Sequence, residues 1–223
     1  MLEQVMGVLI DLHDMERWKA ETWKDYSAPI VRRGSDGARE GLLASYGMVP
    51  RKRIPDGVRP FDTMNARAET VGQLRSFSGA WKRSQLCLVP MTAFYEPSYE
   101  SGRAIRWGIG MADKSMFAVG GLWREWDGSD GPEWSFTQLT INADDHPLMQ
   151  RFHKPGDEKR ALVIVPQNEW DDWLQAADPE YARGFLRHYP AESMTSWECP
   201  VPERAKKAIP PPKASDGNLA FDF

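Results

Sequence analysis

The sequence predicts an α+β fold: a β-rich single domain with mixed or antiparallel, barrel-like sheets and a few peripheral helices. Three observations support this prediction. Many short apolar runs are typical of strands, few segments have helical spacing, and the two kinds do not alternate in a βαβ rhythm. A length of 223 residues with 41% hydrophobic residues suits one domain with its own core.

The first predicted elements are a helix and a hairpin. Residues 11–25 have the composition of a short helix, although their apolar spacing is irregular. Ala28–Arg33 and Glu40–Met48 are predicted as strands, and the turn residues Gly34–Gly37 between them indicate a hairpin. The segment Pro50–Phe61 is rich in proline, glycine and charge, which predicts a loop.

The next segment, Ala66–Phe77, is predicted as a short helix with Asn65 at its N-cap position. On this interpretation Asn65 caps the helix, and Arg67 and Glu69 are ordinary surface charges. Taken by itself, the segment is better explained by this structural role than by chemistry.

The remaining elements are five strands and two helices. Pro166 begins a helix in which Trp170, Trp173 and Leu174 have i, i+3, i+4 spacing. Asp178–His188 is a second helix that also opens with a proline. The strands are predicted at Gln85–Val89, Ile105–Met111, Met116–Leu122, Ser135–Ile141 and Ala161–Val165, with a turn at 112–114 between the second and third of them.

The domain is expected to span residues 1–197, with a Pro-rich flexible tail at 198–223. The chain has no apolar run long enough for a membrane span, and residues 1–14 lack the features of a secretory signal. Cys87 and Cys199 cannot form a disulfide framework. We therefore expect a cytoplasmic protein, and a monomer, that makes no membrane contact.

The charge balance excludes a strongly basic nucleic-acid protein but leaves room for a local basic face. The formal net charge is −4, yet the segment Arg32–Arg83 holds eleven Lys and Arg against five Asp and Glu. This cluster is either a solvated face or a patch for phosphates. No Gly-rich nucleotide motif and no metal-ligand spacing of His or Cys occurs, so no cofactor and no metal are expected.

Three segments could carry chemistry. The first is Asn65–Thr70, for which a helix start is the alternative. In the second, Ala93–Pro97, burial of Glu96 between aromatic residues would raise its pKa and suit acid/base work, although the carboxylate could equally reach solvent. In the third, Gln150–Gly156, His153 could shuttle a proton, or be a solvated loop histidine paired with a nearby acid.

Together these segments are far more specific than any one of them. The chain resembles the SOS response-associated peptidase family, the abasic-site-processing proteins, from about Tyr26 to about Pro190. The matching segments, in the same order and spacing, are Tyr46-Gly-Met-Val-Pro50, Asn65-Ala-Arg-Ala-Glu-Thr70, Cys87–Pro97, Thr140-Ile-Asn-Ala-Asp144 and Phe152-His-Lys-Pro155.

The resemblance implies binding of single-stranded DNA, or of single/double-strand junctions, that hold an abasic site. In the family a cysteine at position two, exposed once Met1 is removed, attacks the sugar aldehyde with its α-amine and closes a thiazolidine ring with its thiol. His153 matches the residue that opens the sugar, and Glu96 matches the acid/base for imine formation. Asn65 matches the residue that orients the N-terminus. Lyase and self-processing activities are implied with them.

The resemblance also implies contacts to the DNA backbone and bases. Arg67 would contact phosphate. Tyr46 or Trp81 could stack on a base, with core packing as the alternative fate of each. The remaining expected DNA contacts are Thr140, Lys154 and Arg160.

The chain departs from the family at its beginning, because it starts Met1-Leu2 and lacks the nucleophile at position two. Without that thiol a thiazolidine cannot form. Two interpretations remain open: the start was placed at an internal methionine, which we favour, or the protein is a diverged, phage-like copy that binds single-stranded DNA without covalent chemistry. A general peptidase is disfavoured, since no acyl-transfer triad is evident.

Overall fold

The computed structural model describes residues 2–10 and 18–201 of the chain. Strands dominate these ranges. They are β1 (Ser27–Arg33), β2 (Arg39–Tyr46), β3 (Asn65–Arg67), β4 (Leu86–Met91), β5 (Phe94–Ser98), β6 (Ile105–Met111), β7 (Phe117–Gly128), β8 (Gly131–Asn142), β9 (Arg160–Leu162), β10 (Ile164–Val165) and β11 (Met194–Glu198).

Five of these strands close into a barrel. Their order is β7–β4–β1–β2–β8, and β8 returns to pair with β7. The pairings are antiparallel except between β2 and β8, which run parallel. β3 adds to β8 in parallel register, with Asn65 opposite Gln138, while β9 and β10 flank β8 and β7. Closure leaves few unpaired edges for other chains to join.

A second, antiparallel sheet has the strand order β11–β6–β5. Its packing depends on Gly108, because a Cβ at that position would lie 2.5 Å from the Trp197 ring. None of the helices in the described ranges has the length and apolar character that a membrane crossing needs. The helices are short: α1 (Leu2–Met6), α2 (Ser78–Lys82), α3 (Trp170–Gln175) and α4 (Pro179–Arg183).

Alternate residues of the barrel strands enter two separate hydrophobic clusters, because neighbouring side chains of a strand point to opposite faces. Val31 and Leu88 join Trp173 of α3 in one cluster. Ile30 and Val89 join Phe94 of the second sheet in the other. The barrel is therefore packed by helices on one face and tied to the second sheet on the other.

The predicted fold class is confirmed, but the predicted helix at Ala66–Phe77 is wrong. Asn65–Arg67 is a strand, residues 68–77 form turns, and helix begins only at Ser78. All three residues of β3 pair with β8; the first and last are exposed, and the middle one is buried. The strand pairing outweighs the helical spacing of the segment, a tertiary effect that local propensity does not contain.

The other predicted element boundaries differ less from those in the structure. The strands predicted at 116–122 and 135–141 are longer and form one hairpin, and the helix predicted at 178–188 ends at Arg183. β5 and β11 were not predicted. The helix predicted at 11–25 lies partly outside the described residues, and residues 18–25 are not helical. Most of the predicted tail also lies outside them, so the boundary at residue 197 stays a prediction.

Candidate active site

Glu96 and His153 are brought together by backbone pairing between β5 and the loop that follows β8. Ser98 forms an isolated antiparallel bridge with Phe152. The His153 amide donates to the Pro97 carbonyl at 2.9 Å. As a result His153 Nδ1 lies 3.5 Å from Glu96 Oε2. Two groups that are far apart in sequence form one pair.

The hydrogen bonds of His153 decide which ring nitrogen is available. Nε2 lies 3.0 Å from the Arg160 carbonyl oxygen, which can only accept, so Nε2 carries the hydrogen. In the neutral ring Nδ1 is then free to accept, and it faces Glu96. His153 also holds a left-handed backbone at φ 64, a conformation that costs energy for a residue with a Cβ. The surrounding pairing imposes this position.

The electrostatics of Glu96 suit proton transfer near neutral pH. Burial raises the pKa of Glu96 to about 7, and a positive charge on His153 would oppose that rise. A carboxylate and an unprotonated Nδ1 are both acceptors, so a hydrogen bond between them requires one shared proton. The Glu96–His153 pair can therefore release or take up a proton without rearranging.

Asn65 lies on the wall of the same cleft, a cavity of about 1400 Å³ that Tyr46, Gln138 and Glu96 also line. The Tyr46 hydroxyl donates to Gln138 Oε1 at 2.9 Å and lies 3.4 Å from Asn65 Oδ1. Burial, and then the nearby carboxylates, raise the pKa of Tyr46, so its hydroxyl stays protonated. The ring stacks on Phe136 with centroids 5.0 Å apart. Asn65 is thus positioned by strand pairing and by a polar neighbour.

Two cleft residues were missed by sequence reasoning. Gln138 lies in β8 directly opposite Asn65, and its only signal was a polar residue within an apolar strand. Arg103 lines the cleft from the turn between β5 and β6 and forms no ion pair with a carboxylate in the described ranges. Nothing in the sequence around Arg103 distinguishes it from other exposed cations.

Arg67 and Lys154 lie on the surface next to the cleft residues. The Arg67 side chain is 58% exposed, and its guanidinium forms an ion pair with Glu158 at 2.6 Å. Lys154 is exposed and directly follows His153. Both can reach an incoming anion, although Arg67 must first exchange its carboxylate partner.

Arg160 and Thr140 do not have the open positions expected of DNA contacts. The Arg160 side chain is 12% exposed and is held by Glu69 and Glu158. Its guanidinium also donates to the carbonyl and hydroxyl of Thr140, which is buried. These contacts join the turn after β3 to β8 and β9, and they occupy both terminal nitrogens of Arg160 but not its Nε. The contribution of Arg160 to the site is its carbonyl, which orients His153.

The expectation that Trp81 might stack on a base is also corrected. Trp81 is 2% exposed and belongs to the hydrophobic core, with the Arg183 guanidinium over its ring. Tyr46 is half-buried and has one face against Phe136, so it is the aromatic residue of the two that lies at the cleft. A buried indole contributes packing energy and no surface for a ligand.

Glu96 and Asn65 line the open cavity, whereas His153 is not among its lining residues and lies next to it through its contact with Glu96. In the described part of the chain, no group of three or more His, Cys, Asp or Glu side chains could hold a metal ion. The carboxyl, imidazole and amide groups present can perform proton transfer and hydrogen bonding to a polar ligand.

Comparison with known proteins identifies the family of the chain. The model of the SOS response associated peptidase (SRAP) family matches residues 10–204. A protein of known structure from Bordetella bronchiseptica is 33% identical, with a TM-score of 0.77, covering 90% of this chain and 94% of that one. No curated protein matches the sequence.

Two further solved structures share the fold. A protein from Bacteroides thetaiotaomicron is 20% identical, with a TM-score of 0.67 over 88% of this chain and 87% of that one. A phage-related protein from Bordetella bronchiseptica is 19% identical, with a TM-score of 0.58 over 81% of this chain and 80% of that one. The family match spans most of the sequence, and the 33% identical structure covers nearly all of it. The chain belongs to the SOS response-associated peptidase family.

Proposed function

We propose that the cleft binds single-stranded DNA, or a single/double-strand junction, at an abasic site and acts on the exposed sugar. Family membership connects the protein with the SOS response and with DNA damage. The observation that carries the proposal is the Glu96–His153 pair, 3.5 Å apart, with Glu96 and Asn65 lining the same cavity. An abasic sugar is small, polar and dependent on proton transfer, which is what these residues provide.

The chemistry begins with the ring of the abasic sugar, which is mostly a closed hemiacetal. Opening it removes a proton from the anomeric hydroxyl and delivers one to the ring oxygen, leaving an aldehyde. A carboxyl–imidazole pair that holds one proton can perform both transfers. His153 is the proposed shuttle because its Nδ1 is free to accept, and Glu96 is the proposed partner because its pKa is raised to about 7.

An amine that enters the site would then react with the aldehyde. The amine nitrogen forms a bond to the carbonyl carbon, a proton moves from nitrogen to oxygen, and water leaves as the imine forms. Glu96 can return the proton that the departing hydroxyl needs. The exposed amide of Asn65 can orient the amine or the sugar by hydrogen bonding.

The DNA backbone is expected to lie along Arg67, Lys154 and Arg103. Arg67 exchanges its exposed ion pair with Glu158 for a phosphate at little cost, since such pairs contribute about 0–1 kcal/mol. Binding should weaken as salt rises, because phosphate contacts release counterions.

The residues of this chain favour a second candidate function. In it the protein binds abasic DNA but forms no covalent bond to it. Residue 2 is leucine. Cys87 is buried, and burial raises its pKa, so its thiol is inert. Cys199 Sγ lies 3.6 Å from Arg106 Nη2, and neither cysteine lines the cleft. A binding module needs no thiol, and the other cleft residues would still recognise the lesion.

The test is incubation with a single-stranded oligonucleotide that carries one abasic site, followed by a denaturing gel. It is run on this chain and on an upstream-extended version that begins with Met-Cys. A heat-stable shifted band supports the covalent reaction. Preference for abasic over intact DNA that disappears under denaturant supports the binding module.

The matched variants are Glu96→Gln and Glu100→Gln. Both remove one carboxylate on or near β5, but Glu100 forms an exposed ion pair with Arg151 instead of facing His153. Glu96→Gln should abolish the reaction or the preference for the lesion, and Glu100→Gln should preserve it. Equal binding to abasic and intact DNA by the unmodified chain and by the Met-Cys version would overturn the proposal.

A further inference from the structure

A second hollow, of about 270 Å³, lies at the other end of the barrel strands from the cleft. Arg33, at the end of β1, lines the hollow, whereas Ala28 near the start of β1 lines the cleft. Gln85, just before β4, lines the hollow, whereas Val89 lines the cleft. On β4, Leu86 lines the hollow and Val89 lines the cleft, so at about 3.3 Å per strand residue the two linings are about 10 Å apart there. The hollow is therefore separate from the proposed reaction site.

The charge of the hollow is unbalanced. Arg33 and Arg83 are among its lining residues, which include no Asp or Glu. Arg124 is close enough to Arg83 that, after burial, repulsion between the two lowers the pKa of Arg124. Across residues 2–10 and 18–201, none of these three guanidiniums forms an ion pair with a carboxylate. Neighbouring positive charges without a counter-charge are unfavourable unless an anion joins them.

The polar groups near these cations are already occupied or neutral. Gln85 Oε1 accepts from Arg83 at 2.8 and 3.2 Å. Asp36, in the turn after Arg33, accepts from the amide of Ala38. Gln85 is neutral, and Asp36 keeps its charge but forms no ion pair with Arg33 or Arg83 in the described ranges. This differs from the cleft rim, where Glu158 pairs with Arg67.

Ser84 adds an independent observation. It also lines the hollow, and its backbone is left-handed at φ 48. Its hydroxyl is buried without a hydrogen-bond partner. Buried polar groups in native proteins nearly always have a partner, and this hydroxyl is available to hydrogen-bond a ligand in the hollow.

We infer that this hollow is a binding site for a phosphate group, held by the guanidiniums of Arg33 and Arg83. The guanidinium fork matches the geometry of phosphate oxygens and can bind them through two parallel hydrogen bonds. Arg124, whose guanidinium lies over the Trp126 ring at 3.8 Å, adds positive charge near Arg83. The phosphate belongs either to a DNA strand that continues beyond the cleft or to a small phosphorylated molecule.

The first experiment measures thermal unfolding in inorganic phosphate against chloride at equal ionic strength. A ligand that binds only the folded state raises the melting temperature. Phosphate should stabilise the unmodified chain, and the effect should disappear in the double variant Arg33→Gln/Arg83→Gln. The matched control is Arg75→Gln/Lys82→Gln, which removes two exposed cations nearby that do not line the hollow, and it should keep the effect.

The second experiment separates the two sources of phosphate by DNA length. The affinity for a short oligonucleotide that fills only the cleft should be the same in both double variants. If the hollow holds the DNA backbone, the Arg33→Gln/Arg83→Gln variant should bind a longer strand about tenfold more weakly than the control variant does. A lost phosphate effect with unchanged DNA affinity indicates a small phosphorylated ligand.

The inference fails if two results are found together. Phosphate stabilises either all variants equally or none of them, and long DNA binds equally well to both double variants. This outcome is distinct from failure of the proposed function. Glu96→Gln acts only at the cleft and should leave the phosphate-dependent stabilisation unchanged.

Discussion

Two histidines in the loop between β8 and β9 (residues 143–159, the β8–β9 loop) have opposite surroundings. His146 is buried, and its Nδ1 accepts from the amides of Leu148 and Met149 at 3.2 and 3.0 Å. Its Nε2 lies 3.0 Å from the Tyr189 carbonyl, to which it donates. Every polar atom of that ring is occupied, so His146 holds the loop and has nothing left for a ligand.

His153, seven positions later, has only one ring nitrogen fixed by the backbone. Its Nε2 donates to the Arg160 carbonyl, and its Nδ1 faces Glu96 across 3.5 Å. The comparison shows that the residue type alone does not decide which histidine can exchange a proton. A spare nitrogen next to a carboxyl with a raised pKa makes the difference.

The largest expected effect is kinetic. In the version that begins with Met-Cys, His153→Ala should slow formation of the denaturant-stable product about 10²–10⁴-fold, the usual contribution of general acid/base catalysis. The rate is followed on denaturing gels under single-turnover conditions. A reaction as fast as that of the parent protein would show that the spare nitrogen has no chemical role.

His146→Ala should instead act on stability. It leaves two buried amides and one carbonyl without partners, so the free energy of unfolding should fall by roughly 3 kcal/mol. Urea denaturation measures the loss, and His153→Ala serves as the comparison because it removes fewer buried hydrogen bonds. Equal destabilisation by the two substitutions would contradict the structural role of His146.

The third prediction concerns pH. Because the folded pKa of Glu96 is raised from its usual 4.5 to about 7, the folded state binds a proton more tightly than the unfolded chain does. The raised pKa of Glu96 therefore stabilises the folded state below pH 4.5, and this stabilisation is lost as the pH rises through 7. Relative to the Glu96→Gln variant, whose amide does not titrate, the parent protein should lose on the order of 2 kcal/mol of its free energy of unfolding between pH 4.5 and pH 7. Parallel pH profiles of the two would exclude a raised pKa.

The smallest effect tests the backbone of His153. Its left-handed φ of 64 favours glycine, so His153→Gly should be more stable than His153→Ala by about 1 kcal/mol. Both variants lack the imidazole, and the difference in urea unfolding isolates the backbone. The same pair at His146, which lacks a positive φ, should show the opposite order, because glycine increases the entropy of the unfolded chain.

Part of the site could be predicted from the sequence because its residues lie in short, distinctive segments. Asn65, Glu96 and His153 were recognised through the order and spacing of those segments, and Glu96 by its aromatic and proline neighbours. The structure places Glu96 and Asn65 on one cavity and His153 beside Glu96. Their catalytic roles stay predictions.

Other residues were misjudged because burial and pairing depend on partners distant in sequence. Arg160 was an expected DNA contact, yet it is enclosed by two carboxylates, and Trp81 has the alternative outcome considered for it, core packing. Asn65 was assigned to a helix cap, yet it lies in a strand because β8 offers a free edge. Ser84 had no signal that sequence reasoning could use, and the signal of Gln138 was limited to a polar residue within an apolar strand.

The sequence by itself determined the family, the β-rich fold class and the segments that carry the chemistry, since apolar periodicity and motif spacing are local properties of the chain. Only the tertiary structure decided which histidine nitrogen is free, which cations are paired and where a hollow remains. Those outcomes depend on hydrogen bonds and charges contributed by elements that meet only when the barrel closes and the β8–β9 loop docks on β5.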